Sequence, residues 1–573
     1  MMHFIKKIRF IIFQSGANSS FYLITGLVIG TILESLSIGL IMPLIILLSQ
    51  RKEVYHIKIL YSFINATGIS YPTFVCYLLL GLLLIYLVKS LFITYLTKKQ
   101  HQYIFNLEAK ASERLFKSYL QRPYSFYLQH NSSELIKNVY FEIKQLGFTI
   151  NQAFIFFSEG LILLLLLVVL IYFEPKVSLI AIIFLGLTIL IFTRFLKHKI
   201  KLWGNSRKQF DNEKVKILSD ALSNIKDIKL YGRFMEFYTS YKIKNQPSVH
   251  ASMKHATFLK LPSVWLEFLA VMGIVSLIGA LEIQGNEIIT ALPLLSLFTA
   301  AAFRILPSLN RISSAYQTIK FHIPVVDSVY DEMRSLPGEM PDIKKSPFIF
   351  SDRIELKSVY FSYENTNQYA LKNITLTIKK GDYIGLIGDS GSGKSTLIDI
   401  IIGLLKPTEG DLFIDGQELA GSYRNWQDQI GYVAQTINLT DDTIKNNIAF
   451  GINEANIDNQ KLNNAIEAAQ LRQFIASLPA GVETLVGEKG VRISGGQRQR
   501  IGIARALYND PLILVLDEAT NSLDIPTEIE IINSVNLLKN KKTIIMVTHN
   551  PLLLTNCDSV YEIKNTELID PAK

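Results

Sequence analysis

The chain has 573 residues, 49% of them hydrophobic, and a positive mean hydropathy, which excludes a single soluble core and calls for at least two domains. The formal charge of +9 is unevenly placed: the apolar runs lie before about residue 315, and the remainder has the composition of a soluble domain. Cys76 and Cys557, one in an apolar run and one near the end, exclude a disulfide framework or a cysteine metal cluster.

The opening "MMHFIKKIRFIIFQSG" has the basic start of a signal peptide, but Arg9 interrupts its short apolar core and no small-residue cleavage site follows. It predicts an amphipathic helix lying on the inner membrane surface. Six apolar segments then reach the ~20 residues needed to cross ~30 Å of hydrocarbon. They cover approximately 20–48, 73–97, 148–173, 176–197, 257–282 and 287–314. Between the first two, "RKEVYHIKILYSFINATG" sets Ile57, Leu60 and Ile64 at helical spacing. That stretch reads equally as a short amphipathic helix on the outer membrane surface or as an ordinary loop. The connections from span two to three and from span four to five hold 22 Lys and Arg. The opposite side holds four, Arg51, Lys52, Lys58 and Lys176. This bias puts both termini in the cytoplasm, so the basic charge follows topology rather than nucleic acid.

Span six carries "AAFRILPSLNRISSAYQ", with Arg304 and Arg311 seven residues apart. On a helix that is about 700° of rotation, so both share one face, roughly 10 Å apart along the axis. A charge at the bilayer centre costs ~2.5–3.5 kcal/mol even on a lenient scale. Counted from an outer entry near residue 287, Arg304 lies about 26 Å and Arg311 about 36 Å in, both within the cytoplasmic leaflet. Lys89 of span two falls in the same leaflet. Three cations facing a cavity suit an anionic, phosphorylated cargo. Against this, Arg311 is shallow enough to snorkel, and Glu34, Glu159 and Glu267 are candidate partners that would hold spans together.

The expected division is a membrane domain over 1–335, a Pro- and charge-rich linker over 336–350, and a soluble domain over 351–573. In the last, "YIGLIGDSGSGKST" runs a strand into Gly388, Asp389, Ser390, Gly391, Ser392, Gly393, Lys394 and Ser395, followed by Thr396. This matches GxxxxGK[ST]: glycines let backbone N–H groups close around phosphates, Lys394 neutralises their charge, and Ser395 suits Mg²⁺. The apolar strand in "PLILVLDEAT" ends in Asp517 and Glu518. Asp517 suits the Mg²⁺ shell and Glu518 the attacking water. "KTIIMVTH" ends likewise in His549.

With "ISGGQRQR", which contains Ser494, Gly495, Gly496 and Gln497, these residues resemble the ATP-binding cassette family. Six spans before one cassette match its half-transporter exporter layout. The resemblance implies a six-helix membrane domain (the type I exporter, or type IV, fold) followed by an α/β P-loop domain. It makes Tyr363 the aromatic that stacks on adenine, and Gln435 the glutamine linking Mg²⁺ and water to the membrane domain. It makes Asp524 the interface aspartate and His549 the γ-phosphate contact. "VGEKG" before the signature is typical of exporters, while Ile493 and "NSLD" are small departures. It also implies a homodimer, each signature closing on the ATP of the partner, with "NIKDIKLYGRFMEF" docking on the opposite cassette.

The outer segment and "FRILPSLNRI" resemble one branch, the bacterial flippases of lipid-linked oligosaccharides that serve protein N-glycosylation. That implies movement of a polyprenyl-pyrophosphate glycan to the periplasmic face, with the cavity arginines on the pyrophosphate. An exporter of lipid A, other lipids or hydrophobic drugs shares the same spans and ATPase and is the alternative. A gated channel using the cassette for regulation is a further rival, against which the intact Glu518 counts.

Overall fold

A computed structural model describes residues 2–14, 20–39, 71–173, 175–283, 288–335, 349–364, 366, 368–419, 423–487, 493–519 and 525–569. The chain divides into two compact units. The first comprises Met1–Arg122 and Gln129–Gly338, and the second Pro123–Leu128 and Glu339–Lys573. The outer segment 51–70, most of the linker, residues 488–490 of "VGEKG" and Asp524 lie outside the described residues.

In the first unit α1 (Met2–Gln14) precedes long helices in all six expected apolar segments: α2 (Ser20–Gly39), α3 (Tyr71–Gln121), α6 (Ile143–Phe173), α7 (Pro175–Ser223), α9 (Phe234–Ile283) and α10 (Ile288–Arg334). Shorter pieces of this unit are α5 (Ser132–Lys137), a π turn over Asn138–Glu142, and α8 (Ile225–Leu230), whereas α4 (Tyr124–Gln129) belongs, except for Gln129, to the second unit. Along the apolar window of α3 no residue is buried; Leu80, Leu83, Leu84 and Leu91 all stand exposed. A helix this apolar needs an apolar solvent on its outside, which a bilayer supplies.

The long connections are not loops. The α3 helix runs for 51 residues, about 77 Å at 1.5 Å per residue, because residues 98–120 contain neither Gly nor Pro and are rich in helix formers. Hydropathy ends at the membrane, but helix propensity does not. The extensions are tied side to side. Gly204 of α7 allows a close approach to α10, since a Cβ there would stand 2.1 Å from the Phe321 carbonyl oxygen. Beside it His255 stacks on Phe321 at 3.9 Å, and His322 lies 3.3 Å from Arg207. Lys137 and Glu142, both nearly buried, form an ion pair at 2.6 Å across the π turn.

The first helix departs from expectation. Lys7 pairs with Asp327 at 2.8 Å and lies over the Tyr330 ring, Phe10 meets Tyr330 edge-on, and Ile11 is fully buried. Asp327 is 13 residues beyond the expected end of span six, roughly 20 Å along the helix. Protein contacts on the extension of α10 therefore hold α1, in place of the headgroups expected from its amphipathic pattern.

The second unit contains two sheets. An antiparallel sheet has the order β2-β1-β4-β5, from β1 (Arg353–Ser362), β2 (Tyr369–Lys379), β4 (Glu409–Ile414) and β5 (Gln417–Glu418). The larger has the order β10-β9-β3-β8-β7-β6, from β3 (Tyr383–Gly388), β6 (Ile430–Val433), β7 (Ile513–Asp517), β8 (Thr543–Val547), β9 (Ser559–Lys564) and β10 (Glu567–Ile569). Strands β9, β3, β8, β7 and β6 are parallel. Every residue of β7 and β8 is buried, as expected where both faces are covered. One core packs α11 (Lys394–Ile401) and the small sheet on one face, and a second core fills the other.

Candidate functional site

Parallel register decides where the chemistry collects. Val433 pairs with Leu516, Asp517 with Val547, and Val547 with Leu386. The C-terminal ends of β6, β7, β8 and β3 thus form one edge, where ligands of open α/β sheets bind. From β3 the chain turns through Gly388, Gly391 and Gly393, all at positive φ, into the N-terminus of α11. At Gly393 a Cβ would meet the Ala370 carbonyl oxygen at 2.6 Å, so only glycine fits. Lys394 is buried, and its Nζ donates to the Gly388 and Asp389 carbonyls at 2.8 Å each. Ser390, Gly391 and Ser392 complete the turn and Ser395 follows Lys394, so the loop offers N–H groups, one ammonium and a helix N-terminus to a phosphate chain.

Three residues from three strand ends meet beside it. Gln435 Nε2 donates to Glu518 Oε2 at 2.6 Å, and His549 Nε2 stands 2.9 Å from Glu518 Oε1. Glu518 adopts φ +48, a left-handed conformation uncommon for a residue that carries a Cβ. Such strain persists where surrounding structure over-determines it, and here both carboxylate oxygens are engaged. Next to it Asp517 is buried, with Oδ2 accepting from the Tyr432 hydroxyl at 3.3 Å and Oδ1 lacking a hydrogen-bond partner among the described residues. Burial first, then the Glu518 charge, raises the Asp517 pKa, while Tyr432, Ser395 and Lys394 pull it down. A buried carboxylate oxygen with no partner beside a serine hydroxyl fits one edge of a Mg²⁺ shell. No group of three His, Cys, Asp or Glu among the described residues could hold a metal by itself, so phosphate oxygens and water would supply the rest.

Tyr363 places its hydroxyl 2.8 Å from Thr396 Oγ1 and its ring edge-on to Phe361. Ser494 caps α16 (Gly495–Leu507) in a reciprocal capping box with Gln497, which leaves Gly495 and Gly496 in the first turn. Three groups were not read from the sequence: Tyr432, Asp399 and Tyr124. Asp399, on α11, has its pKa pushed up to about 6 by burial and then by Asp517. Tyr124, on α4, belongs to this second unit although it lies between spans two and three. Its pKa is raised by burial and then by Asp399 and Tyr363. Tyr432 lies three residues before Gln435 in the sequence; the other two had no motif to announce them.

A family model of the ABC transporter transmembrane region matches residues 5–304, and one of the ABC transporter matches 371–521. The chain is an ABC exporter. It is 28% identical over 482 residues to an "ATP-dependent lipid A-core flippase" of Ralstonia nicotianae, covering 83% of this chain and 80% of that protein. It is likewise 28% identical over 501 residues to one of Syntrophus aciditrophicus, covering 86% and 81%. Its fold is that of a bacterial Atm1-family ABC exporter solved with ATP bound (TM-score 0.77, 21% identity, 96% of this chain and 94% of that one). ABC exporters couple ATP hydrolysis to movement of a substrate through the membrane, and the type IV architecture of membrane helices followed by a cassette is present here.

The membrane cations are less assembled than the ATPase residues. Arg311 Nη1 donates to Glu159 Oε1 at 2.6 Å; the arginine side chain is 50% exposed and the glutamate 7%. Arg311 is therefore not a lone cation, and one of the three candidate acids accounts for it. Lys89 lies 4.7 Å over the Tyr86 ring, while Glu267 is exposed. Arg304 sits within α10, but its side chain lies outside the described residues.

Proposed function

We propose that this exporter works as a symmetric dimer in a bacterial inner membrane and flips an anionic, phosphate-bearing lipid from the cytoplasmic to the outer leaflet. The observation that carries the cargo class is Arg311. A buried carboxylate fixes its guanidinium on one side, and half of its surface is open. An arginine so held has its orientation paid for before a phosphate arrives, and planar bidentate pairing suits that group. The pair also lowers the net cavity charge below the three cations per chain that the sequence suggested. The relatives' names favour a lipid A-core type of cargo. The lipid-linked oligosaccharide reading keeps its support in "FRILPSLNRI" and shares the phosphate chemistry.

In each cassette the Gly388–Ser395 loop would hold the phosphates of ATP, and Tyr363 its adenine. Bound Mg²⁺, held by Ser395, Asp517 and Gln435, would neutralise charge developing on the phosphates. Glu518 orients the attacking water and takes its proton as the new P–O bond forms and the bond to ADP breaks; Gln435 and His549 fix the carboxylate. A single cassette needs a second copy, whose Ser494, Gly495, Gly496, Gln497 and Asp524 would close each site. At the tip of the α7–α9 extension Leu222, Leu230, Tyr231 and Phe234 stand exposed, as a segment docking on the partner cassette requires.

The test uses proteoliposomes carrying either a labelled lipid A-core or a labelled polyprenyl-pyrophosphate oligosaccharide. ATP-dependent loss of label accessibility in one arm, absent in Glu518→Gln, assigns the cargo. Loss in neither arm, with ATPase intact, removes the phosphate-bearing lipid reading.

A further inference from the structure

A cleft of about 600 Å³ lies between α2 and α3. Its shape follows from Gly26 and Gly30. A Cβ at Gly26 would stand 2.8 Å from Leu96, and one at Gly30 3.2 Å from it, so the two helices touch closely there. Along α3 its wall is Phe92, Leu96, Lys99, Asn106 and Lys110, at spacings that keep one helix face. That face changes from apolar to cationic over about five turns. Opposite it α2 contributes Leu23 and Ile29, then Tyr22 and the positive end of its backbone dipole near Ser20. Tyr95, whose ring lies 5.7 Å from the Lys99 ammonium, marks the transition, as aromatic residues do at the headgroup level.

The direction of this gradient is fixed by the chain. Arg122 at the far end of α3 donates to Ser335 at 2.9 Å, and Ser335 directly precedes the linker to the cassette. The lysines therefore lie on the side of Ser335 and the apolar part at the bilayer end. The volume falls in the range of ligand sites. We propose that this cleft binds an anionic phospholipid of the cytoplasmic leaflet, its headgroup between Lys99, Asn106 and Lys110 and its acyl chains against Ile29, Phe92 and Leu96. The proposal does not depend on which cargo the exporter carries. A soluble phosphate would leave the apolar half of the cleft unused, which is why a lipid is the ligand.

The full-length transporter in liposomes is exposed to phosphatidylglycerol carrying a diazirine near the head end of one acyl chain, and separately to phosphatidylcholine with the same diazirine. Cross-links are mapped by peptide mass spectrometry. Residues 20–30 and 92–110 should be labelled by phosphatidylglycerol about thirtyfold over phosphatidylcholine, the order of preference two basic side chains near a surface confer. Lys99→Gln with Lys110→Gln should remove the preference, and Lys99→Arg with Lys110→Arg should keep it. Equal labelling by the two lipids overturns the site. So does a preference that survives the glutamine variant. Absence of label from both segments also overturns it, and is the outcome if a second copy of the chain fills the cleft.

Discussion

The cassette and the membrane unit solve different problems with side chains. In the cassette, Gln435, Glu518 and His549 already touch within one chain, because parallel strand register brings their backbone positions to one edge. In the membrane unit, Arg311 meets Glu159 across 152 residues, through the antiparallel packing of α6 and α10. Phosphate chemistry on a nucleotide is thus built by backbone geometry over short stretches. The Arg311–Glu159 pair is built by helix facing, which no short stretch records.

That contrast can be broken or sharpened by mutation. The largest effect belongs to Glu518→Gln, which should cut ATP hydrolysis by about 10²–10⁴-fold while leaving nucleotide binding in place. A smaller loss would shift the proton-accepting role elsewhere. Next comes Lys137→Ala, which strands Glu142 as a buried charge and should cost roughly 3–5 kcal/mol in thermal or chemical unfolding. Arg311→Ala should slow lipid flipping about 10- to 100-fold, the worth of a hydrogen bond to a charged group, with basal ATPase nearly unchanged. Because that change also exposes Glu159 to an unpaired state, Glu159→Gln combined with Arg311→Ala should restore stability without restoring flipping.

A pH series tests the packing of the extensions. His322 and His255 have pKa values lowered to about 3 and about 4, chiefly by burial, with Arg207 opposing their protonation. Unfolded, each would titrate near 6.5. Their folded values are depressed, so the unfolded chain binds protons first. Their stabilisation is full above about pH 6.5 and is lost as pH falls toward 3. Unfolding temperature should drop over that window, and His322→Gln should flatten the drop. The smallest effect is that of Tyr432→Phe, which removes one hydrogen bond from Asp517 and should raise the Mg²⁺ concentration for half-maximal ATPase by about two- to tenfold.

Much of this was legible in the sequence, unevenly. Gly388 through Ser395 and the Asp517–Glu518 pair declare themselves because glycine conformations and a strand end are local requirements. Six long helices were legible from hydropathy, but not their extensions, since polar residues 98–120 mark the end of the bilayer and not of the helix. The α1 helix has an amphipathic pattern that fits headgroups and protein alike, and Asp327 and Tyr330 decide for protein. Asp399 and Tyr124 could not be read, because their closeness to Asp517 and Tyr363 depends on tertiary packing alone.

The central claim is ATP-driven flipping of a phosphate-bearing lipid. The most direct measurement follows a sugar-labelled lipid A-core in proteoliposomes, with wild type, Glu518→Gln and Arg311→Ala compared side by side. Accessible label should fall with ATP in wild type, stay constant in Glu518→Gln, and fall at a strongly slowed rate in Arg311→Ala at normal ATPase. Flipping by Arg311→Ala at the wild-type rate would contradict that claim.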